Sequence, residues 1–405
     1  MTLAKARRST GAADQREVGR RQVLETIRAA GSIARIDIAK AAGSSPATVT
    51  AITSELLAAG LIEECDAVPI QDAKRGRPRV ALRIRGAAHR VAGVKVSHHA
   101  VSTVITDFEG QEIVAREMRL PENRMAPDRL CDEILRAVGE ACAEAGLNVA
   151  ALSGIGIGIA GLVDASRNFV YWSSSLRERN VDLGSMLEAR VACPVFLDND
   201  ANLVAKAEHL FGEGRNLDNF IVITIEHGVG MGIVLDGHIY RGARGCGAEF
   251  GHTKVQLEGA LCQCGQRGCL EAYVGDYALL REANLNSETD HKDLASLFAA
   301  AARGEGIARS ILDRAGRMFA MGLANIVNVF DPPLIILSGA QLNYDFLYSD
   351  KVIDEMKRWI VQVDAPIPQV KVHGWGDLMW AKGATAYAIE EVSNLTVKEL
   401  AADAG

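Results

Sequence analysis

The chain has 405 residues, of which 48% are hydrophobic and 23% charged, and its formal net charge is −7. This length and composition predict a well-buried globular protein of two or three domains and exclude a disordered scaffold. No run of roughly 20 apolar residues occurs and the first 15 residues lack an apolar core, so we expect no membrane span, no secretory signal and a cytoplasmic location.

Charge is unevenly distributed along the chain. Basic clusters occur at residues 5–8, 20–21 and 74–77, whereas acidic residues prevail after the first 90 positions. A basic segment on an acidic body indicates that only the first domain contacts a polyanion. We predict a disordered basic arm over residues 1–13.

Three helices are predicted next. Apolar residues recur at roughly helical spacing over residues 16–30, and a shorter helix follows over residues 35–42. Gly43 ends this second helix in the tight turn of a helix-turn-helix. Ser45 then serves as an N-cap, with Pro46 at the first position of a third helix.

The third helix has the features of a DNA recognition helix. Its outward face near the N-terminus carries short side chains, which let a helix approach the major groove closely. Ser45, Ala47 and Thr48 are the predicted DNA contacts on this face. The alternative is a three-helix domain that binds a protein.

A wing is predicted after the third helix, since apolar residues at 61–62 and 80–84 indicate two strands that flank the loop over residues 69–78. The loop tip contains Arg-Gly-Arg-Pro and resembles an AT-hook core, in which extended arginines lie along a narrow minor groove. Such a charge run is usually only a solvated loop, but at the wing position it predicts four more DNA contacts: Lys74, Arg75, Arg77 and Arg79. We assign residues 14–86 to a winged helix-turn-helix domain.

Beyond residue 86 the chain alternates strand-like and helix-like segments, which predicts an α/β fold. The predicted strands lie within 90–106 and at 154–159, 195–197, 220–225, 232–235 and 334–337, and the predicted helices at 127–145, 181–192, 294–301, 307–328 and 380–391. We expect two lobes with a cleft between them, over about residues 87–197 and 198–380. A C-terminal helix over residues 380–396 follows.

The strongest chemical signal is one histidine and three cysteines in the spacing His-x9-Cys-x-Cys-x4-Cys: His252, Cys262, Cys264 and Cys269. Three thiolates and one imidazole form a closed tetrahedral ligand set, which is typical of structural Zn2+ and leaves no open position for catalysis. The other five cysteines are isolated, so the pattern indicates a metal site and not a disulfide framework. The alternative is a group of unligated cysteines in a glycine-rich loop.

The segment over residues 247–273 resembles the signature of the ROK family, which comprises bacterial repressors, open reading frames and sugar kinases. Residues 197–202, Leu-Asp-Asn-Asp-Ala-Asn, are also similar to that family. The resemblance extends from about residue 90 onwards and implies a two-lobed actin/hexokinase-like domain over residues 87–405. The preceding helix-turn-helix is similar to that of the family's xylose and N-acetylglucosamine repressors.

The resemblance also implies a sugar site. Its seven implied contacts, two of them weaker matches, are Gly161, Ser174, Asn199, Asp200, Glu249, His252 and Glu271. In ROK kinases the residues that match Asn199 and Asp200 bind a pyranose, and the aspartate is also the general base. His252 would serve twice, with one ring nitrogen on zinc and the other donating to a sugar hydroxyl. The alternative for residues 198–200 is a helix cap without a sugar role.

The nucleotide side departs from the family. Where a ROK kinase has Asp-x-Gly-Gly-Thr, residues 95–99 read Lys-Val-Ser-His-His, whose histidines would obstruct a phosphate. Where a kinase has Gly-Thr-Gly, residues 226–230 read Glu-His-Gly-Val-Gly, which places a carboxylate near the phosphates. We therefore expect no kinase activity.

These features predict a DNA-binding transcriptional regulator, in particular a repressor of carbohydrate metabolism or transport genes. Its expected partners are operator DNA and a sugar effector bound between the lobes, and the resemblance implies a homodimer or homotetramer. Two alternatives stay open. One is an ATP-dependent sugar kinase that uses Asp200 as general base, and the other is a regulator controlled by a protein partner.

Overall fold

The computed structural model describes residues 12–66, 80–215, 217–286, 291–339, 346–347, 349–361, 364, 366–374 and 378–402. Most of the predicted basic arm lies outside these residues, as do the predicted wing contacts Lys74, Arg75, Arg77 and Arg79. Within the described ranges, no helix combines the length and the apolar character that crossing a membrane requires.

The N-terminal part of the chain forms three helices and a small antiparallel sheet. The elements are α1 (Ala12–Ala30), β1 (Ser32–Ala34), α2 (Arg35–Ala41), α3 (Pro46–Ala58), β2 (Ile62–Asp66) and β3 (Val80–Ile84), and the sheet order is β1-β3-β2. The two wing strands are confirmed as a β2–β3 pair. The short segment between α1 and α2, for which no strand was predicted, is strand β1, because its backbone pairs with the edge of β3 that β2 leaves open.

Local sequence explains how these helices form. The side chain of Ser45 accepts a hydrogen bond from the backbone N–H of Thr48 at 3.1 Å and so caps α3, whose first residue is proline. Val49, Ile52 and Leu56 form the inward face of α3 and are all buried. The predicted helix-turn-helix is therefore present in the structure.

The first lobe is built on a five-stranded sheet. Its elements are β4 (Arg90–Val96), β5 (Ala100–Asp107), β6 (Glu112–Arg119), α4 (Pro127–Glu144), β7 (Gly154–Ile159), β8 (Gly161–Asp164), β9 (Phe169–Ser173), α5 (Leu183–Glu188) and β10 (Val195–Asn199), and the sheet order is β10-β7-β4-β5-β6. Helix α5 is shorter than predicted. It begins where the side chain of Asp182 accepts a hydrogen bond from the backbone N–H of Ser185, and it ends at Glu188. The parallel neighbours β10, β7 and β4 end at one edge, where the sugar residues are expected.

The second lobe repeats this plan with a second five-stranded sheet. Its elements are α6 (Asp200–Phe211), β11 (Phe220–Ile225), β12 (Val229–Leu235), β13 (His238–Ile239), α7 (Glu271–Val274), α8 (Asp276–Asn286), α9 (Leu294–Arg303), α10 (Gly306–Phe330), β14 (Leu334–Gly339), α11 (Asp350–Trp359), β15 (Gln369–Val372) and α12 (Met379–Ala402), and the sheet order is β13-β12-β11-β14-β15. Two α/β lobes are thus confirmed, whereas their exact limits stay a prediction.

The C-terminal helix α12 continues to Ala402, beyond its predicted end, and packs on the first lobe. A Cβ atom at Gly93 of β4 would overlap the backbone oxygen of Ala381, and one at Gly156 of β7 would overlap the backbone oxygen of Ala384. The two glycines therefore let the helix backbone lie directly on the sheet. The far part of α12 shares a hydrophobic core with the winged domain.

Candidate functional site

The predicted metal ligands converge on one point. The ligand atoms of His252, Cys262, Cys264 and Cys269 all lie within 4.8 Å of one another. Nδ1 of His252 lies 3.7 Å from Sγ of Cys262, and Sγ of Cys264 lies 3.7 Å from Sγ of Cys269. Thiolates about 2.3 Å from a tetrahedral ion are separated by about this distance, so the residues present could hold a metal ion.

The loop that carries the cysteines is shaped by glycines. Gly265 and Gly268 have φ angles of 89° and 76°, a region that residues with a Cβ rarely adopt. A Cβ at Gly268 would also overlap the backbone oxygen of Gln256. Lys254 donates a hydrogen bond to Sγ of Cys269 at 2.9 Å, which places a positive charge beside the thiolates.

A cavity of about 750 Å³ lies between the two lobes, next to the metal ligands. All seven predicted sugar contacts line it: Gly161, Ser174, Asn199, Asp200, Glu249, His252 and Glu271. They come from both lobes, from strand ends, from the start of α6 and α7 and from the loop before the cysteines. The structure therefore brings the predicted set together, while the sugar role of each residue stays a prediction.

Asn199 and Asp200 lie where β10 meets α6. The side chain of Asn199 accepts a hydrogen bond from the N–H of Ala201 and donates one to the oxygen of Gly161, both at 2.9 Å. Asn199 is thus a helix cap, as the alternative interpretation proposed, and its side chain also faces the cavity. Gly161 has a φ of 139° and no room for a Cβ beside Trp172, so this wall requires glycine.

Carboxylates dominate the floor of the cavity. Burial raises the pKa of Asp200, with Lys95 opposing and Glu226 adding to the effect. Partial burial, together with the charges of Asp200 and Glu271 and against the opposite effect of His252, raises the pKa of Glu249 to about 7. Such carboxyl groups can accept or donate hydrogen bonds to vicinal hydroxyls.

His252 has its two ring nitrogens in two environments. Nδ1 faces the thiol of Cys262, and Nε2 lies 3.9 Å from a carboxylate oxygen of Glu249 in the cavity wall. The carboxylate of Glu271 accepts hydrogen bonds from the N–H of Val229 at 3.3 Å and from the hydroxyl of Tyr277 at 3.2 Å. His252 thus lies between the cysteine cluster and the cavity, an arrangement that would allow the double role predicted for it.

An ion pair joins the two segments that stand where ROK kinases have their phosphate loops, residues 95–99 and 226–230. Nζ of Lys95, at the end of β4, lies 2.5 Å from a carboxylate oxygen of Glu226, just after β11. The same Nζ lies 3.6 Å from the ring centre of Trp380 in α12, and the rings of His98 and His227 are 4.4 Å apart. This pair was not predicted from the sequence, although the opposite charges of Lys95 and Glu226 were a signal for it.

The predicted DNA face is exposed. Ser45, Ala47 and Thr48 all lie on the solvent side of α3. The hydroxyl of Ser45 also lies 2.8 Å from that of Thr48, so the two side chains support each other at the helix start. This arrangement leaves the N-terminal turn of α3 free to enter a groove.

Comparisons with known proteins agree with this geometry. Residues 91–391 match the ROK family, and residues 20–63 match a winged helix-turn-helix DNA-binding family. The xylose repressor of Bacillus spizizenii is 30% identical over 323 residues, which cover 80% of this chain and 82% of the relative.

Two solved structures extend the comparison. A ROK family transcriptional regulator, a homologue of the Escherichia coli MLC protein, is 25% identical with a TM-score of 0.79, over 96% of this chain and 99% of that one. A ROK glucokinase from Streptomyces griseus in complex with glucose and AMPPNP is 29% identical with a TM-score of 0.64, over 74% of this chain and 99% of that one. The long match, together with the conserved architecture, shows that this chain belongs to the ROK family.

Proposed function

We propose that this chain is a DNA-binding transcriptional repressor of carbohydrate genes and that a sugar bound between its lobes controls it. One observation carries the proposal: the seven sugar-contact candidates line one cavity, while the Lys95–Glu226 ion pair lies on the phosphate side. The cavity has the residues expected to bind a sugar, but an ion pair occupies the position where ROK kinases bind phosphates. Such a cavity is suited to sensing a sugar and not to phosphoryl transfer. The kinship with xylose repressors supports the same function.

In this proposal the sugar is held by side chains from both lobes. Asn199 and Asp200, where β10 meets α6, bind two hydroxyls. Glu249 and His252, which precede the cysteines, and Glu271, at the start of α7, bind further hydroxyls. Each of these groups can pair with a hydroxyl donor or acceptor. Gly161 and Ser174 complete the opposite wall.

Zn2+ is the metal we propose for His252, Cys262, Cys264 and Cys269, because three thiolates and one imidazole are the ligands that structural zinc prefers. The ion would hold the cysteine loop in place and fix the tautomer of His252. It would supply no catalytic chemistry, since four protein ligands leave no open position.

For the DNA, we propose that α3 enters the major groove with Ser45, Ala47 and Thr48 and that the wing arginines Arg75, Arg77 and Arg79, with Lys74, reach an adjacent minor groove. A symmetric homodimer or homotetramer would read an inverted repeat of operator half-sites.

The first experiment separates DNA binding from protein binding. A random DNA pool is selected on the purified protein, and the enriched fragment is measured by fluorescence anisotropy. Thr48→Glu places a negative charge on the exposed N-terminal turn of α3 and should weaken binding at least tenfold, because it repels phosphates. The control Ser54→Glu, near the other end of the same helix, should bind within threefold of the wild type. No enrichment of any fragment would contradict the proposal.

The second experiment identifies the effector. Monosaccharides with their N-acetyl and phosphorylated forms are compared by thermal shift, since a ligand at 100 times its Kd adds about 2.7 kcal/mol to stability. Asn199→Ala should abolish the shift, whereas Asn123→Ala on the exposed surface should keep it. Sugar-dependent ATP consumption would instead favour the kinase, and a protein without any sugar response would favour control by a protein partner.

A further inference from the structure

Helix α12 reaches from the cavity to the winged domain. Trp380, in its first turn, lines the cavity. Ile389 and Val392, farther along, are buried in one hydrophobic core with Leu24 and Ile27 of α1. At 1.5 Å per residue the helix spans about 18 Å between Trp380 and Val392. A single helix therefore contacts both the cavity and the domain that carries the proposed DNA contacts.

Three parts of the molecule meet at the cavity end of this helix. Lys95 belongs to the first lobe, Glu226 to the second and Trp380 to α12. The ammonium of Lys95 is bonded to Glu226 and lies over the ring of Trp380, and its side chain is only 6% exposed. A buried ammonium keeps a carboxylate partner because an unpaired charge that is shielded from water is strongly unfavourable. Asp200 is the second carboxylate that acts on this group from the cavity.

Helix α12 is held on two sides by backbone contacts. Gly93 brings β4 against the backbone of α12, and a Cβ at Gly383 would overlap the backbone oxygen of Leu203 in α6. Helix α6 begins at Asp200, so its first residue faces the cavity. Where backbones are in direct contact, no side chains lie between them that could repack and absorb a small shift. A movement of β4 or α6 is therefore passed on to α12.

At its other end, α12 holds the winged domain through a buried arginine. Arg28 in the last turn of α1 donates to the oxygen of Phe108 and lies 3.5 Å from the hydroxyl of Ser393 in α12. Its guanidinium also lies 4.6 Å from the ring centre of Phe108. The side chain of Arg215 donates to the oxygen of Arg28 at 3.2 Å. These contacts hold the winged domain against α12 and the first lobe.

We propose that α12 carries the sugar signal to the winged domain and that Lys95 is the positioning residue that sets its resting place. Without sugar, Lys95 is paired with Glu226 and lies against Trp380, so that it links the two lobes to α12. A sugar bound at Asp200 changes the partners of this junction, and α12 shifts as a body together with α1. The inference rests on the proposed function, since it explains how the two sites of that function communicate.

The test measures the coupling ratio, defined as the DNA Kd at saturating sugar divided by the DNA Kd without sugar. The probe is D-xylose or D-glucose, whichever stabilises the wild type, and the DNA is the selected fragment. Lys95→Met removes the charge and keeps the length of the side chain. The matched control is Lys382→Met, which removes an exposed ion pair between α12 and Glu112.

We expect a wild-type ratio of at least 5, within the usual range of allosteric coupling. Lys95→Met should reduce it below about 2, because without this ion pair the sugar-free DNA Kd rises towards that of the sugar-saturated wild type. Lys382→Met should keep both the wild-type ratio and the wild-type sugar-free DNA Kd. Glu226→Gln, at a more exposed position, gives the same readout if Lys95→Met does not fold. Calorimetry establishes that each variant binds the sugar.

Three results would overturn the inference. An unchanged ratio in both variants would show that the junction does not transmit the signal, although the proposed function would stand. Loss of sugar binding in both variants would make Lys95 and Glu226 sugar ligands and not transmitters. A wild-type ratio of 1 with sugar bound would remove the proposed sugar response itself and the inference with it.

Discussion

Arg241 donates two hydrogen bonds, at 2.9 and 2.6 Å, to one carboxylate oxygen of Asp198, whose side chain is completely buried directly before Asn199 and Asp200. The other oxygen accepts from the amide of Asn202 at 3.0 Å. Asp198 therefore does not line the cavity but stabilises the junction of β10 and α6, which carries Asn199 and Asp200.

Removal of this arginine should be costly. Arg241→Met would leave the charge of Asp198 buried with only amide partners, and losing one member of a buried pair costs about 3 kcal/mol. We expect that loss in the free energy of unfolding from urea titration. Arg358→Met, which removes an exposed pair with Glu355, should change it by less than about 1 kcal/mol. Equal losses of unfolding free energy in the two variants would show that the buried pair stabilises the protein no more than the exposed pair does.

The purified protein should contain one zinc ion per chain, measured by elemental analysis. Cys264→Ser should lower the bound zinc substantially, because one of four ligands is lost, and should lower the thermal midpoint. Cys246→Ser lies outside the cluster and serves as the control with full metal content. A Cys264→Ser protein with wild-type zinc would rule out the proposed ligand set.

Two glycines of the cysteine loop should respond differently to alanine. Gly265 has a positive φ but open space around its Cβ position, so Gly265→Ala should cost about 1 kcal/mol and keep the metal. Gly268→Ala adds an overlap with the backbone of Gln256 and should release the metal. The measurement is zinc content together with the unfolding free energy, and equal zinc contents would refute the packing argument.

Stability should depend on pH through His98. Burial, together with the positive charges of His227 and His99, lowers the pKa of His98 to about 4, against about 6.5 in an unfolded chain. Between these values the unfolded chain binds a proton that the native protein does not, so this contribution to stability falls as the pH falls from about 6.5 to about 4. His98→Phe keeps the ring and should flatten that part of the urea-unfolding profile. An unchanged profile would mean that His98 titrates normally.

Much of the fold was predictable because the signals are local. A capping serine before proline marked the start of α3, and short side chains identified its outward face. The metal ligands lie within 18 consecutive residues, where the spacing of cysteines and glycines already limits what the loop can do. The sugar candidates were available only through the family resemblance, since nothing in their spacing shows that they meet.

What the tertiary structure decided are the contacts between distant segments. Strand β1 forms because its backbone pairs with the edge of β3, about 50 residues later in the chain. Lys95 and Glu226 are 131 residues apart, and only the closing of the two lobes brings their charges together. Arg28 and Ser393 are 365 residues apart. Caps and ligand spacings depend on neighbouring residues, whereas these pairs depend on how whole sheets and helices pack, and that packing is a property of the complete chain.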